Sequence, residues 1–305
     1  MTKYGIQYFT HPQINKAQWN RCVDNAFNGL VYAGSHYLDA MADNWDALVL
    51  DDYQAVMPLP WRKKYGIPYL YQPAFVAQLG LFGNNLGADL LLAFFEAIPE
   101  KFRYWDFPLN HHNLFALAGY PLFQRSNFVL PLHKPYETLF EGYRENIKRN
   151  LKKAKQYGCH VKTGIDVDGI IELAKQQTQQ SETTETDFKN IALLYRQLQQ
   201  QSKAVSYGVF SPKDELLASC VLFFSHHRAY YILVGNHPNG RTLGASHALI
   251  DAFIQDHAGQ NLLLDFEGSD LRNLAFFYSS FGATEEKYAA IRLNRLPWWA
   301  RWLKD

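Results

Sequence analysis

Two segments far apart in the chain share one pattern, and that repeat constrains the fold more than any other feature. Residues 101–110 and 261–270 each read as a strand ending in an Asp-Phe pair, Asp106-Phe107 and Asp265-Phe266, followed by a polar loop. After each comes a helix-like segment, then a glycine (Gly119, Gly282), then an alternating strand at 127–132 or 288–293. Upstream, strand-like runs at 47–50, 54–59 and 68–71 parallel runs at 206–210, 216–224 and 229–234. Repetition on this scale predicts two copies of one αβ fold; chance similarity of two αβ patterns is the alternative. A chain of 305 residues, 48% of them hydrophobic, is long enough for two cores of ordinary size.

The copies differ at one turn. In the second, the strand 229–234 runs through Asn236-His237-Pro238-Asn239-Gly240 into Arg241-x-x-Gly244-x-Ser246 and then a helix at 245–257. A helix start carries backbone N–H groups without partners and partial positive charge. Glycine there lets a diphosphate approach the backbone closely. The turn is therefore expected to hold a phosphorylated donor; Arg241 as a plain surface cation is the alternative. The first copy has Gly80, Gly83 and Gly87 before its helix at 88–98 but lacks the Arg-x-x-Gly-x-Ser pattern. The donor site is expected in the second copy alone.

The formal net charge of +1 gives no global attraction to nucleic acid, and no DNA partner is expected. Cys22, Cys159 and Cys220 have neither metal-ligand nor disulfide-framework spacing, which suits a reducing cytoplasm. No metal is expected. No apolar run is long enough to span a bilayer, and residues 1–18 do not read as a signal, so a soluble cytoplasmic protein is expected.

Between the copies a basic helix is expected over 136–157. Phe140, Tyr143, Ile147, Leu151 and Ala154 form its core stripe, and Gly158 is its stop. Arg144, Lys148, Lys152 and Lys155 share one face, which either binds phosphate or is simply solvated. Helices at 168–180 and 187–201 follow, around a polar turn at 181–186. The tail 296–305 is aromatic and basic, and either docks on the protein or lies on a membrane surface.

The Arg241-x-x-Gly244-x-Ser246 turn, the late helix with Tyr278, and the Phe281-Gly282 turn resemble the GCN5-related N-acetyltransferase superfamily. Its loop for the coenzyme A pyrophosphate is Arg/Gln-x-x-Gly-x-Gly/Ala; here the third position is Ser246, small enough to keep the close approach. The run from Tyr143 to Gly158, closing in Lys153-Ala154-x-x-x-Gly158, is similar to the helix that opens the second domain of tandem acetyltransferase-fold proteins, the Fem-type peptidoglycan-bridge aminoacyl transferases among them. The resemblance covers most of the chain and is specific from about residue 136.

It implies a mixed α/β (α+β) fold of two tandem acyl-CoA N-acyltransferase-type domains, each a mostly antiparallel sheet flanked by helices. Residues 1–134 would be a degenerate copy shaping the acceptor cleft, and 135–305 would carry the donor site. The implied activity is acyl transfer from acetyl-CoA or another acyl-CoA to a primary amine. A tRNA-dependent aminoacyl transfer to a peptidoglycan precursor is the first alternative, and a non-catalytic acyl-CoA-binding protein the second.

By the same resemblance Leu233, Val234 and Gly235 would face the pantetheine and thioester, and Arg241, Gly244, Ala245 and Ser246 the pyrophosphate. Tyr278 would be the acid for the leaving thiolate; with Phe276 and Phe277 beside it, a core tyrosine is the other reading. Asp265 and Glu267, two apart at a strand end, are expected to share one face and to offer a proton acceptor. Capping of the following turn is the alternative for Asp265. In the first copy, Asp106, Asn110 and His111 occupy the equivalent place and are candidates for acceptor contacts; a plain loop is the alternative there.

Overall fold

The structure is a computed structural model that describes residues 4–177, 183–268 and 270–298. In chain order the elements are β1 (Ile6–Phe9), α1 (Lys16–Asn25), α2 (Ser35–Met41), β2 (Trp45–Leu50), β3 (Ala55–Lys64), β4 (Ile67–Tyr71), β5 (Phe82–Gly83), α3 (Ala88–Glu96), β6 (Tyr104–Pro108) and β7 (Leu122–Pro131). Then come α4 (Tyr136–Glu141), α5 (Glu145–Gln156), β8 (His160–Thr163), α6 (Val167–Gln177), α7 (Glu185–Gln200), β9 (Ala204–Phe210), β10 (Leu216–Ser225) and β11 (Arg228–Asn236). The chain ends with α8 (Pro238–Leu243), α9 (Ala245–His257), β12 (Leu263–Asp265), α10 (Arg272–Ser279) and β13 (Thr284–Asn294).

Contacts divide the chain into one unit of Met1–Arg125 with Lys287–Asp305 and another of Ser126–Glu286. In the first unit the strands run β1-β2-β3-β4-β6-β13, antiparallel except that β4 pairs β6 in parallel. In the second they run β8-β9-β10-β11-β12-β7, antiparallel except that β11 pairs β12 in parallel. The two orders are the same pattern twice, with the parallel pair in the same place. Tyr71 faces Asp106 across the first and Tyr230 faces Asp265 across the second.

Each unit takes its last strand from the other repeat. Leu263, Leu264 and Asp265 pair with Pro131, Leu130 and Val129 of β7, whereas Asp106 and Phe107 pair with Arg292 and Ile291 of β13. Sequence order had put β7 with the first copy and β13 with the second. An antiparallel ladder accepts any alternating strand that reaches the edge, so local pattern does not decide which repeat supplies it.

The second unit buries its sheet on both faces. Ser206 accepts a hydrogen bond from Tyr195 of α7 at 3.0 Å, while the next residue, Tyr207, donates to Asp256 of α9 at 2.8 Å. Neighbours on a strand point to opposite faces, so α7 and α9 cover different sides. Burial on both sides explains why β10 reads as an almost continuous apolar run. Leu249, Phe253 and Ile254 of α9 pack into the core with Tyr207, Leu222, Phe266 and Phe281. In the first unit Leu91, Phe94 and Phe95 of α3 pack with Met57, Trp105 and Phe107.

One expected helix is two. The helix expected over 136–157 breaks at Gly142-Tyr143-Arg144 into α4 and α5. Arg144 is extended (φ −68°, ψ 155°), and its N–H donates to the Ser280 carbonyl at 2.9 Å instead of continuing the helix. The expected stop holds: Gly158 has φ +70°, and the Cys159 N–H returns to the Ala154 carbonyl at 3.0 Å. The helix expected at 168–180 is α6 as far as Gln177. Residues 178–182, Ser269 and 299–305, and with them most of the aromatic tail, lie outside the described residues.

Candidate active site

β11 outlasts its parallel partner. The β11–β12 register ends at Tyr230 and Asp265, while β11 continues through Tyr231 to Asn236 on its β10 side. In the first copy β4 stops at Tyr71, level with Asp106, so nothing comparable projects. Beyond Tyr230 the β12-facing edge of β11 has no ladder partner among the described residues, and a strand edge of this kind offers backbone N–H and C=O groups to a ligand. A cleft of about 500 Å³ opens there, lined by Tyr231, Val234, Asn236, Arg241, Ser246, His247, Asn273, Leu274, Phe277 and Tyr278.

Of the expected donor residues, Val234, Arg241 and Ser246 line this cleft. Leu233 is buried in the strand. Gly235 lies under α6: a Cβ there would sit 2.9 Å from Leu173 Cβ and 3.0 Å from Ala174 N. The turn expected as a loop is a short helix, α8, joined to α9 through Gly244. His237 caps α8 by accepting the Asn239 N–H at 3.2 Å. Gly244 adopts φ +76°, and a Cβ there would lie 2.4 Å from the Asn150 carbonyl oxygen of α5. At Gly240, likewise, a Cβ would lie 2.3 Å from the Leu217 carbonyl oxygen. Both glycines thus answer close backbone packing, a demand distinct from the diphosphate approach expected of Gly244.

What remains open at the turn is the start of α9, which has no side-chain cap, and Arg241, which is exposed and makes no ion pair among the described residues. Ala245 is buried in the first turn, and the Ser246 hydroxyl donates to Asn236 Oδ1, tying the end of β11 to the start of α9. An uncapped helix N-terminus with a free guanidinium beside it is suited to an anion.

The opposite wall is α10. Tyr278 lies flat on Phe266, with ring centroids 4.4 Å apart and planes at 18°. Burial, reinforced by the nearby charge of Glu267, raises its pKa, so the phenol keeps its proton at neutral pH. His247 of α9 meets Phe277 edge-on at 5.0 Å. Its Nδ1 is buried without a hydrogen-bond partner, and burial lowers its pKa to about 4. Sequence reading passed over His247, although its spacing from Ile250 and Ile254 marks an inward helical face. Asn273 carries no sequence signal, and Asn236 and Phe277 stand in the sequence only as neighbours of the turn and of Tyr278.

The two carboxylates are separated by their surroundings. Asp265 is wholly buried: it pairs with Arg228 Nη1 at 2.9 Å and accepts from Asn127 Nδ2 and from the Glu267 N–H, each at 2.9 Å. Glu286 holds the other side of Arg228 at 2.8 Å. Burial raises the Asp265 pKa against the lowering effect of Arg228. Its capping bond to Glu267 is the structural role weighed from the sequence. Glu267 does not continue the strand: β12 ends at Asp265, and Glu267 takes φ +62° ahead of Gly268 at +85°. The expected strand face shared by the two carboxylates is therefore absent. Instead Glu267 is half-buried and close enough to Tyr278 for its charge to be felt there.

In the first unit, Asp106 pairs with Arg292 at 3.0 Å. Asn110 is fully buried, its amide donating to the Leu79 and Leu81 carbonyls at 3.1 and 3.0 Å. The His111 N–H donates to Gln78 Oε1 at 2.9 Å and its ring sits 4.2 Å from that of His112. Asp106 and Asn110 are thus engaged in holding the fold. Among the described residues no His, Cys, Asp and Glu group of three or more is arranged to hold a metal, and no helix is long and apolar enough to cross a membrane.

Comparison with known proteins bears on the fold. No curated protein matches the sequence. Among solved structures the fold is similar to FemX (13% identity, 93% of this chain and 97% of that one, TM-score 0.65). It is also similar to L-PGS from Bacillus licheniformis (12%, 97% and 96%, 0.56). A tandem GNAT protein from the clavulanic acid biosynthesis pathway shares it as well (11%, 96% and 99%, 0.53). Identities this low carry the fold alone. The model of the acetyltransferase (GNAT) domain matches residues 141–272, from the end of α4 to the first residue of α10. That match takes in the projecting strand and the Arg241 turn.

Proposed function

We propose that this chain is an N-acyltransferase that moves an acyl group, acetyl in the simplest case, from acyl-CoA to a primary amine. The observation that carries the reading is the projection of β11 past β12, which opens a cleft with Arg241 at the turn and Tyr278 on its wall. The pantetheine would lie along Tyr231 to Asn236, and its pyrophosphate would meet Arg241 and the first turn of α9. The degenerate first copy, residues 1–134 in our reading, lacks the turn and is assigned to the acceptor.

In the reaction the amine nitrogen attacks the thioester carbonyl, a C–N bond forms and the C–S bond breaks. A backbone N–H of the projecting strand stabilises the developing oxyanion. Tyr278 supplies a proton to the leaving thiolate, and Glu267 accepts the amine proton directly or through water. A transfer from Glu267 back to Tyr278 restores both. Asp265, engaged by Arg228 and Asn127, positions the turn that carries Glu267. The test is acetyl-CoA calorimetry. Arg241→Ala removes a charge-assisted bond of about 1.5–3 kcal/mol and weakens binding by roughly 10- to 100-fold. Binding that ignores the substitution rejects the turn as donor site.

A second reading draws on α5, whose Lys148, Arg149, Lys152, Lys153 and Lys155 stand against one Glu145, and on the likeness to FemX. An aminoacyl-tRNA would then be the donor and a peptidoglycan precursor the acceptor. It predicts tRNA binding that falls steeply with salt and requires Lys148 and Lys152.

A further inference from the structure

The first unit carries a projection that its fold does not require. The β2–β3 ladder ends at the pair Trp45–Pro60, with one further bond from the Trp61 N–H to Asn44, and β6 pairs with β4 only from Leu70. Between those points Arg62 to Tyr69 form a two-stranded ribbon that extends past both neighbouring strands. The second copy has no such ribbon, since β12 pairs with β11 from its first residue, Arg228. Lys64 and Ile67 close the ribbon around a two-residue turn, Tyr65-Gly66, with φ +51° and +80°. Such a turn favours Asn, Asp or Gly, and a bulky ring at positive φ is uncommon. Tyr65 is nevertheless there, 77% exposed, with the Lys64 ammonium 5.9 Å from its ring. Lys63 and Lys64 are exposed and form no ion pair among the described residues, whereas Arg62 is held by Asp43 at 2.7 Å. The segment 60–72 contains no Asp or Glu to offset them.

The end of β13 reaches the same place. β13 runs antiparallel to β6, and Asn294 lies opposite Tyr104, so the chain leaves the sheet at the ribbon's end. Leu296 and Tyr104 form a small apolar cluster with Ile67 and Tyr69 of the ribbon. Two residues on, Trp298 is 83% exposed. Among the described residues Trp298 and Tyr65 are the two most exposed large hydrophobic side chains, and this cluster links them. We propose that this end of the first unit seats the protein on an anionic bilayer surface, with Tyr65 and Trp298 among the headgroups and Lys63 and Lys64 against lipid phosphates. Tyrosine and tryptophan settle at a membrane–water boundary because their rings are apolar and their tips polar. Lysines beside them add attraction to anionic lipid. Lys63 and Lys64 point to opposite faces of the ribbon, and a surface met end-on reaches both. The chain as a whole is almost neutral, so the attraction is local. Single-stranded nucleic acid is held along a groove with stacking platforms, whereas these rings cap a projecting end. All four residues lie outside the unit that holds the donor turn, so the proposal is independent of the reaction.

The test is co-sedimentation of the full chain with vesicles of phosphatidylglycerol and phosphatidylcholine in equal parts, and of phosphatidylcholine alone, at low and moderate salt. The variants are Lys63→Glu/Lys64→Glu, Trp298→Ala and Tyr65→Asn, the last being a residue that suits the turn and so keeps the ribbon. The parent is expected to bind the mixed vesicles in a salt-sensitive way and to leave phosphatidylcholine alone. The double charge reversal should weaken that binding by about tenfold or more. Tyr65→Asn and Trp298→Ala should each weaken it by roughly fivefold. A parent that does not bind the mixed vesicles overturns the proposal. Binding that needs the lysines but ignores both aromatic substitutions also overturns it, since charge alone would then explain the attraction. Binding of bulk tRNA that needs Lys63 and Lys64, without vesicle binding, overturns it in favour of nucleic acid.

Discussion

Asp265 of β12 and Arg228 of β11, two residues apart in the register of these parallel strands, form an ion pair at 2.9 Å with side chains only 2% and 11% exposed. Removing Asp265 leaves Arg228 with Glu286 as its remaining carboxylate, and takes the acceptor from the Glu267 N–H and the shorter bond from Asn127 in a dry site. Asp265→Ala is expected to cost about 3 kcal/mol or more, read as a lower urea midpoint at constant slope. An unchanged midpoint combined with lost turnover would instead return Asp265 to the chemistry.

Gly244 carries two demands at once, a positive φ and the Asn150 carbonyl 2.4 Å from where a Cβ would be. Gly259 has a similar φ of +81° with no atom within 4 Å of its Cβ position, and serves as the control. Gly259→Ala is expected to cost about 1 kcal/mol, the backbone penalty alone. Gly244→Ala should cost about 2–4 kcal/mol, the same penalty plus overpacking. Equal losses in thermal or urea unfolding would show that α5 does not press on the α8–α9 junction.

Burial holds His247 neutral down to about pH 4, against an ordinary value of 6.5. The unfolded chain therefore takes up this proton from about pH 6.5 downward, while the fold resists until about 4. Folding stability contributed by the neutral ring is present above 6.5 and is lost as pH falls through that interval. His247→Gln should flatten the stability profile between pH 6.5 and 4 and leave it unchanged above 7. A parallel profile in the variant would mean that the ring is solvated.

Tyr278→Phe keeps the stack on Phe266, whose centroid distance is 4.4 Å, and removes only the phenolic proton. Turnover is expected to fall by about 100-fold, the usual scale for a lost general acid, with donor affinity changed less than about twofold. A full-rate Phe variant would leave Tyr278 as a core aromatic. A variant that loses binding and rate together would make it a wall of the donor cleft and nothing more.

Much of this arrangement is written locally in the chain. The helix α9 occupies residues 245–257 as its pattern foretold, because an apolar face of helical period begins immediately after a glycine. The His226-His227 pair sits in the β10–β11 hairpin turn, both at positive φ, between two runs of strand-forming residues. Arg241, Ser246 and Tyr278 could be nominated from short motifs, since each lies within a few residues of its own signal. For His247 the helical spacing gives only an inward face; that Phe277, thirty residues on, closes over it is beyond any local pattern.

The chain by itself determined two repeats of one strand-and-helix succession and put the Arg241-x-x-Gly244-x-Ser246 pattern in the second alone. Those properties follow from period, turn chemistry and apolar pattern, which act over neighbouring residues. Only the tertiary structure decided which repeat each closing strand serves, that Asp265 answers to Arg228 and Asn127, and that Gly244 yields to Asn150. It also decided that the long basic helix breaks where Arg144 turns its N–H to Ser280. The physical reason is common to all four. A ladder edge, a buried charge, a close backbone contact and a diverted N–H each draw their energy from a partner distant in sequence, and local composition is silent about which partner arrives.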